Sequence, residues 1–141
     1  MKIALLAVFA IVTFSGCSKT TVNQVNQAYS AIYTIAANQW VAGTDNDGTK
    51  FFYATLPIAE LTQDIDQNGG VNIYLTFDDN TVADPTYEAL PEVFNGIAYG
   101  AIHTTGQITV DLRAADGGDL TSPITAATQI KVVLIDAQPL D

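Results

Sequence analysis

The chain has 141 residues, 48% of them hydrophobic and 14% charged, with fifteen acidic side chains against five basic ones. That length holds one domain with a real core, and the apolar content excludes a disordered body. A nucleic-acid binder needs a clustered Lys/Arg footprint to displace counterions, whereas Lys19, Lys50, Arg113 and Lys131 stand singly, so no nucleic-acid partner is expected.

Met1-Lys2 is a minimal basic start, and Ile3 to Phe14 is apolar except for Thr13. Twelve residues are too few to cross a hydrocarbon core of about 30 Å as a helix and suit a signal-peptide core. The run ends at Phe14-Ser15-Gly16-Cys17, which resembles the lipobox of bacterial lipoproteins. Ser15, Gly16 and Cys17 fit that pattern, while Phe14 replaces its usual Leu. The resemblance implies a signal peptide over 1–17 and a lipidated Cys17, palmitate included, as the mature N-terminus. Plain secretion and a retained anchor are the alternatives. A disulfide needs a second cysteine, and the chain has one. Ser18, where an Asp would hold the protein at the inner membrane, points to the outer membrane. Residues 18–28, rich in Asn, Gln and Thr, read as a flexible tether, leaving 29–141 as the domain.

The first strand is expected from Tyr29, with Tyr29, Ala31, Tyr33 and Ile35 on one side and Ser30, Ile32 and Thr34 on the other. It leads to Trp40, the single tryptophan, read first as a core plug and second as a ligand-stacking platform. Asp47-Gly48 is the strongest hairpin signal, joining this region to a return strand over Lys50 to Leu56 that Pro57 ends.

Ile58, Leu61 and Ile65 are spaced as one apolar stripe of a short helix, stopped by Asn68-Gly69-Gly70 with a left-handed cap expected at one glycine. Val71, Ile73, Leu75 and Phe77 then alternate against Asn72, Tyr74 and Thr76, the cleanest period of two in the chain. Tyr87 to Phe94 reads as an edge strand interrupted by Pro91. Ile97 to His103 and Gln107 to Arg113 read as a hairpin, followed by a long loop over 114–127. Val132 to Ile135 is nearly continuous apolar sequence, expected in a central strand buried on both faces. The predicted fold is all-β: a single antiparallel β-sandwich of about seven strands with one short helix, an open barrel being the alternative.

Leu61-Thr-Gln-Asp-Ile65, Asn68-Gly69, the strand holding Val71, Tyr74 and Leu75, Ala89-Leu90-Pro91 and Lys131-Val-Val-Leu-Ile135 occur in this order. Together they resemble a group of uncharacterised lipoproteins and collagen-associated domains from Bacteroidota, over roughly 30–136. The resemblance implies a small β-sandwich on a secreted or lipid-anchored chain and implies no activity.

Chemistry-bearing residues are few. His103 is the only histidine, so nucleophilic triads and zinc sites lack material, and no enzyme is expected. Calcium is the one metal raised: Asp64, Asp66 and Asn68 occupy positions 1, 3 and 5 of a calcium-type loop, with Gly69 at position 6. The bidentate acid required at position 12 falls on Leu75, so turn and helix cap are the first reading there. The function expected is a lipid-anchored envelope module, binding or structural. It contacts another envelope protein or a glycan through a sheet face or the 114–127 loop. The alternative is a secreted hydrolase using carboxylates such as Glu60 and Asp64.

Overall fold

The computed structural model describes residues 27–78, 81–122 and 124–137. Cys17, most of the tether and the signal-peptide region lie outside them. Among the described residues the strands are β1 (Ala28–Ile35), β2 (Val41–Thr44), β3 (Lys50–Pro57), β4 (Gly70–Leu75), β5 (Glu88–Ala89), β6 (Glu92–Phe94), β7 (Ile97–Thr104), β8 (Gln107–Ala114) and β9 (Thr128–Ile135). One helix, α1 (Gln63–Asn68), and a 3-10 turn (Ala37–Gln39) complete the elements. Two antiparallel sheets, ordered β1-β9-β4-β5 and β2-β3-β8-β7-β6, pack as a sandwich. Short links join β1 to β2 and β5 to β6, so these end strands share the two flanks.

The period-two pattern decides which residues fill the space between the sheets. Ile73 and Leu75 of β4 meet Ile130, Val132 and Leu134 of β9 on one inner face. Ala54 and Leu56 of β3 and Ile108, Val110 and Leu112 of β8 form the other. Each such Leu, Ile or Val contributes roughly 1.5–3 kcal/mol by leaving water. Phe77 stacks on Phe94 at 4.2 Å and meets Tyr99 edge-on at 5.1 Å, joining the two sheets with aromatic surface.

Hairpin chemistry sets the connections. Gly48 takes φ 94° in the β2–β3 turn, and Asn95 and Gly96 take φ 50° and 76° between β6 and β7. Two consecutive positive φ values are what a twisted two-residue hairpin demands.

The structure departs from the sequence expectation at four places. The strand expected over Tyr87 to Phe94 is two short strands in different sheets, because the chain crosses the flank at Leu90-Pro91, a cis peptide. Strand β9 is central, yet Val133 and Ile135 on its outer face are only half-buried. Helix α1 starts later than the apolar stripe: Thr62 caps it, its Oγ1 accepting the Ile65 N–H at 3.3 Å. Ile58 and Leu61 are buried from the turn before it. Finally, no left-handed cap forms at Gly69 or Gly70. Gly69 has φ −90° and ψ −160°, ordinary extended backbone.

Among the described residues no helix is long and apolar enough to cross a membrane.

Candidate functional site

Trp40 is 8% exposed and belongs to the core cluster, with its indole Nε1 buried and unpartnered among the described residues. A ring so covered offers no face to a ligand.

Asp64, Asp66 and Asn68 lie on α1, where the helix turns their side chains to different neighbours. Asn68 Nδ2 donates to Asp64 Oδ1 at 2.7 Å. Asp66 looks across to the β7–β8 hairpin: its Oδ1 lies 2.7 Å from His103 Nδ1, and its Oδ2 accepts from Thr105 Oγ1 at 3.1 Å. Asp66 is thus committed to a staple between helix and hairpin. Among the described residues no group of three or more His, Cys, Asp or Glu side chains is placed to hold a metal. The staple was invisible in sequence, because its partners stand 37 and 39 residues apart.

The clefts are shallow. One of about 450 Å³ lies by the end of β4, lined by Leu75, Phe77 and Tyr99 with Asp78 as its single carboxylate. Asp78 Oδ2 accepts the Thr86 N–H at 2.6 Å. Glu60 and Asp64 both line a cleft of about 230 Å³ together with Asp136, and no basic side chain shares it.

A broader feature is the outer face of the five-stranded sheet. Inner residues alternate with outer ones, and the strand registers carry rows of outer residues across the sheet. One row runs Gly43, Phe51, Arg113, Ala98 and Val93; the next runs Val41, Tyr53, Asp111 and Gly100. Thr55, Thr109 and Ile102 follow, the two threonine hydroxyls 3.0 Å apart. Val41, Val93 and Ile102 are 47%, 59% and 66% exposed.

Two glycines let larger neighbours lie down on this face. A Cβ on Gly43 would stand 2.6 Å from the Phe51 ring, and one on Gly100 would stand 2.6 Å from Asp111 Oδ1. Phe51 therefore covers Gly43 and Asp111 covers Gly100. The Arg113 guanidinium lies 4.3 Å above the Phe51 centroid, and the Phe51 and Tyr53 rings are 5.9 Å apart. Arg113 Nε donates to Asp111 Oδ2 at 2.7 Å, and its Nη atoms reach the Asp45 carboxylate. The hydrogen bonds it donates to Asp45 and then Asp111 raise the Arg113 pKa further above its already high ordinary value, so the group is always charged. The result is a flattened aromatic and aliphatic surface around an ion cluster of one arginine and two aspartates. Sequence reading missed it, since Arg113 and Asp45 lie 68 residues apart; the outward alternation of Val41, Phe51, Tyr53 and Ile102 was its only signal.

The opposite outer face, on the four-stranded sheet, is plainer. It carries Ile32, Val133, Asn72 and Tyr74, with Lys131 5.6 Å from the Tyr87 ring and 6.0 Å from the Tyr74 ring. The 114–127 loop is tied back onto β3: Leu120 donates to the Lys50 carbonyl and Lys50 donates to Asp119 Oδ1, both at 2.9 Å.

No family model matches the chain, and no curated protein or solved structure matches it either.

Proposed function

We propose that this chain is an outer-membrane lipoprotein, anchored through Cys17, whose sandwich is a binding module for another envelope protein. The docking surface is the outer face of the five-stranded sheet. The observation that carries this reading is the exposure of Val41, Val93 and Ile102 on a face already paved by Phe51 and Tyr53. Exposed aliphatic and aromatic surface around an arginine is the make-up of protein interfaces, in which isolated charges are depleted. The face's one strand carboxylate, Asp111, is compensated by Arg113. Elsewhere the chain is acidic, which favours solubility and repels polyanions, so a face whose charges are gathered in one arginine–aspartate cluster is where a partner meets least charge repulsion.

A neutral glycan on the same face is the second reading, favoured by the adjacent Phe51 and Tyr53 rings. Intact mass of the mature protein with palmitate labelling tests the anchor; an unmodified chain starting at Met1 overturns it. Ile102→Asp tests the surface. It is expected to remove partner co-purification from detergent-solubilised envelopes while the circular dichroism spectrum stays unchanged. Undiminished co-purification rejects the face.

A further inference from the structure

Among the described residues, strand β1 is the edge of its sheet and pairs only with β9. Just beyond it, the Asp136 N–H donates to the Gln27 carbonyl at 2.9 Å. Backbone groups in an antiparallel ladder alternate in direction from residue to residue. Tyr29, Ala31, Tyr33 and Ile35 therefore bond to β9, while Ala28, Ser30, Ile32 and Thr34 turn their N–H and C=O groups outward. Bonds from Thr76 to Gln129 and from Leu90 to Ile73 fit the same alternation further across this sheet.

Natural edge strands are protected by charges, prolines, bulges or shortness. Ala28–Ile35 is eight residues long and contains no charged residue and no proline. Ile32 is 58% exposed and Tyr29 43%. The residues Ala28 to Ile32 are exposed on both faces, so this half of the strand stands clear of the opposing sheet. Tyr29, Ala31 and Tyr33, with Ile58, Val132 and Leu134, line a groove of about 200 Å³ there, in which Glu60 is the single acidic lining residue.

We propose that this edge is a self-association surface, on which β1 of a second copy pairs antiparallel about a two-fold axis at Ala31. The strand is self-complementary in that register. Outward-facing residues meet as hydrogen-bonded pairs, Ala28 with Thr34 and Ser30 with Ile32. Tyr29 meets Tyr33 twice, on the groove side, as non-hydrogen-bonded pairs in which cross-strand side chains come closest. Such a contact is isologous and closes on itself, joining two four-stranded sheets into one. The two-fold register selects the occupant, since a second copy sets Tyr29 against Tyr33 at both ends of the contact, and the strand carries no charge through which two chains of formal charge −10 would repel there. The inference rests on β1 alone and is independent of the docking face described above.

The test is sedimentation equilibrium of the full chain in density-matched detergent, with charge swaps at the axis. The wild type is expected at twice the mass of one chain. Ala31→Lys and Ala31→Glu place like charges directly opposite across the axis, so each variant alone is expected as a single chain. Mixed one to one, they are expected to return to the double mass. Circular dichroism of each variant shows whether the sandwich is retained. A wild type of single-chain mass at millimolar concentration overturns the proposal, including the case in which the chain's own residues before Gln27 cover the edge. Double mass retained in both variants, or unfolded variants combined with an unchanged Ser30→Lys/Ile32→Lys dimer, overturns it as well.

Discussion

Gly69 and Ile135 are in backbone contact: a Cβ on Gly69 would stand 2.3 Å from the Ile135 carbonyl oxygen and 2.8 Å from that of Ile65. The end of α1 is thereby pressed against the end of β9. Gly69→Ala must part helix and strand, and a loss of about 2 kcal/mol or more is expected in urea unfolding. Gly70 is the control, since its Cβ would meet Ile135 side-chain atoms at an ordinary 3.5 Å. Gly70→Ala is expected to change stability by less than about 1 kcal/mol.

The Asp66 staple predicts an asymmetry between two neighbouring acids. Asp66 bonds His103 and Thr105 across the fold, whereas Asp64 bonds only Asn68 one turn along the same helix. Asp66→Ala is expected to cost about 1 kcal/mol and to speed amide exchange at residues 103–106. Asp64→Ala is expected to cost about 0.2–0.5 kcal/mol, the range of an exposed pair within a helix. Because both Asp66 oxygens are engaged, millimolar calcium is expected to leave the melting temperature unchanged. A calcium-dependent rise would show that the ion displaces the staple.

Burial raises the Tyr99 pKa above the ordinary 10.0, and burial followed by the Glu60 charge raises that of Tyr33. A folded-state pKa above the unfolded one favours the neutral phenol in the fold. The stability it contributes is fully present below pH 10.0 and is lost as pH rises through the folded value. Unfolding free energy is expected to fall as pH rises above 10.0 through the folded value, and Tyr99→Phe to make that fall shallower. An identical slope in wild type and variant would contradict the assignment.

The Arg113 cluster is exposed, so it contributes to the shape of the face more than to stability. Arg113→Met is expected to cost no more than about 1 kcal/mol in urea unfolding, the range of exposed ion pairs. Gly43→Ala acts differently, because its Cβ occupies the place of the Phe51 ring. That substitution is expected to lift Phe51 from the sheet, visible as a change in the ring's NMR chemical shifts and in those of the Arg113 side chain.

The sandwich was legible wherever residues alternate strictly, as in Val71 to Leu75, Ile108 to Leu112 and Ile130 to Leu134, because period-two burial is a local property of a pleated strand. The β2–β3 and β7–β8 hairpins were legible for the same local reason, through Asp47-Gly48 and through the runs Ile97 to His103 and Gln107 to Arg113. What crosses the fold was not. Pro91 signalled an interruption, yet nothing near it says that the chain leaves one sheet for the other. Gly69 looked like a left-handed cap, since a glycine after a helix does not disclose whether it serves a positive φ or a close approach. Asp66 carried a calcium reading second to turn and cap, and nothing near it shows that His103 and Thr105 reach it from another hairpin. Trp40 carried both a core and a ligand reading, and only the packing of both sheets covers its ring.

Site-specific photo-crosslinking in intact envelopes tests whether the outer face of the five-stranded sheet docks a protein partner. A photoreactive side chain would replace, one at a time, Ile102 and Val93 on that face and Asn72 on the opposite one. A discrete adduct to one other protein is expected from Ile102 and Val93, of a mass different from twice the chain, and none from Asn72. Adducts of equal yield from both faces, or none from Ile102 and Val93, would contradict it.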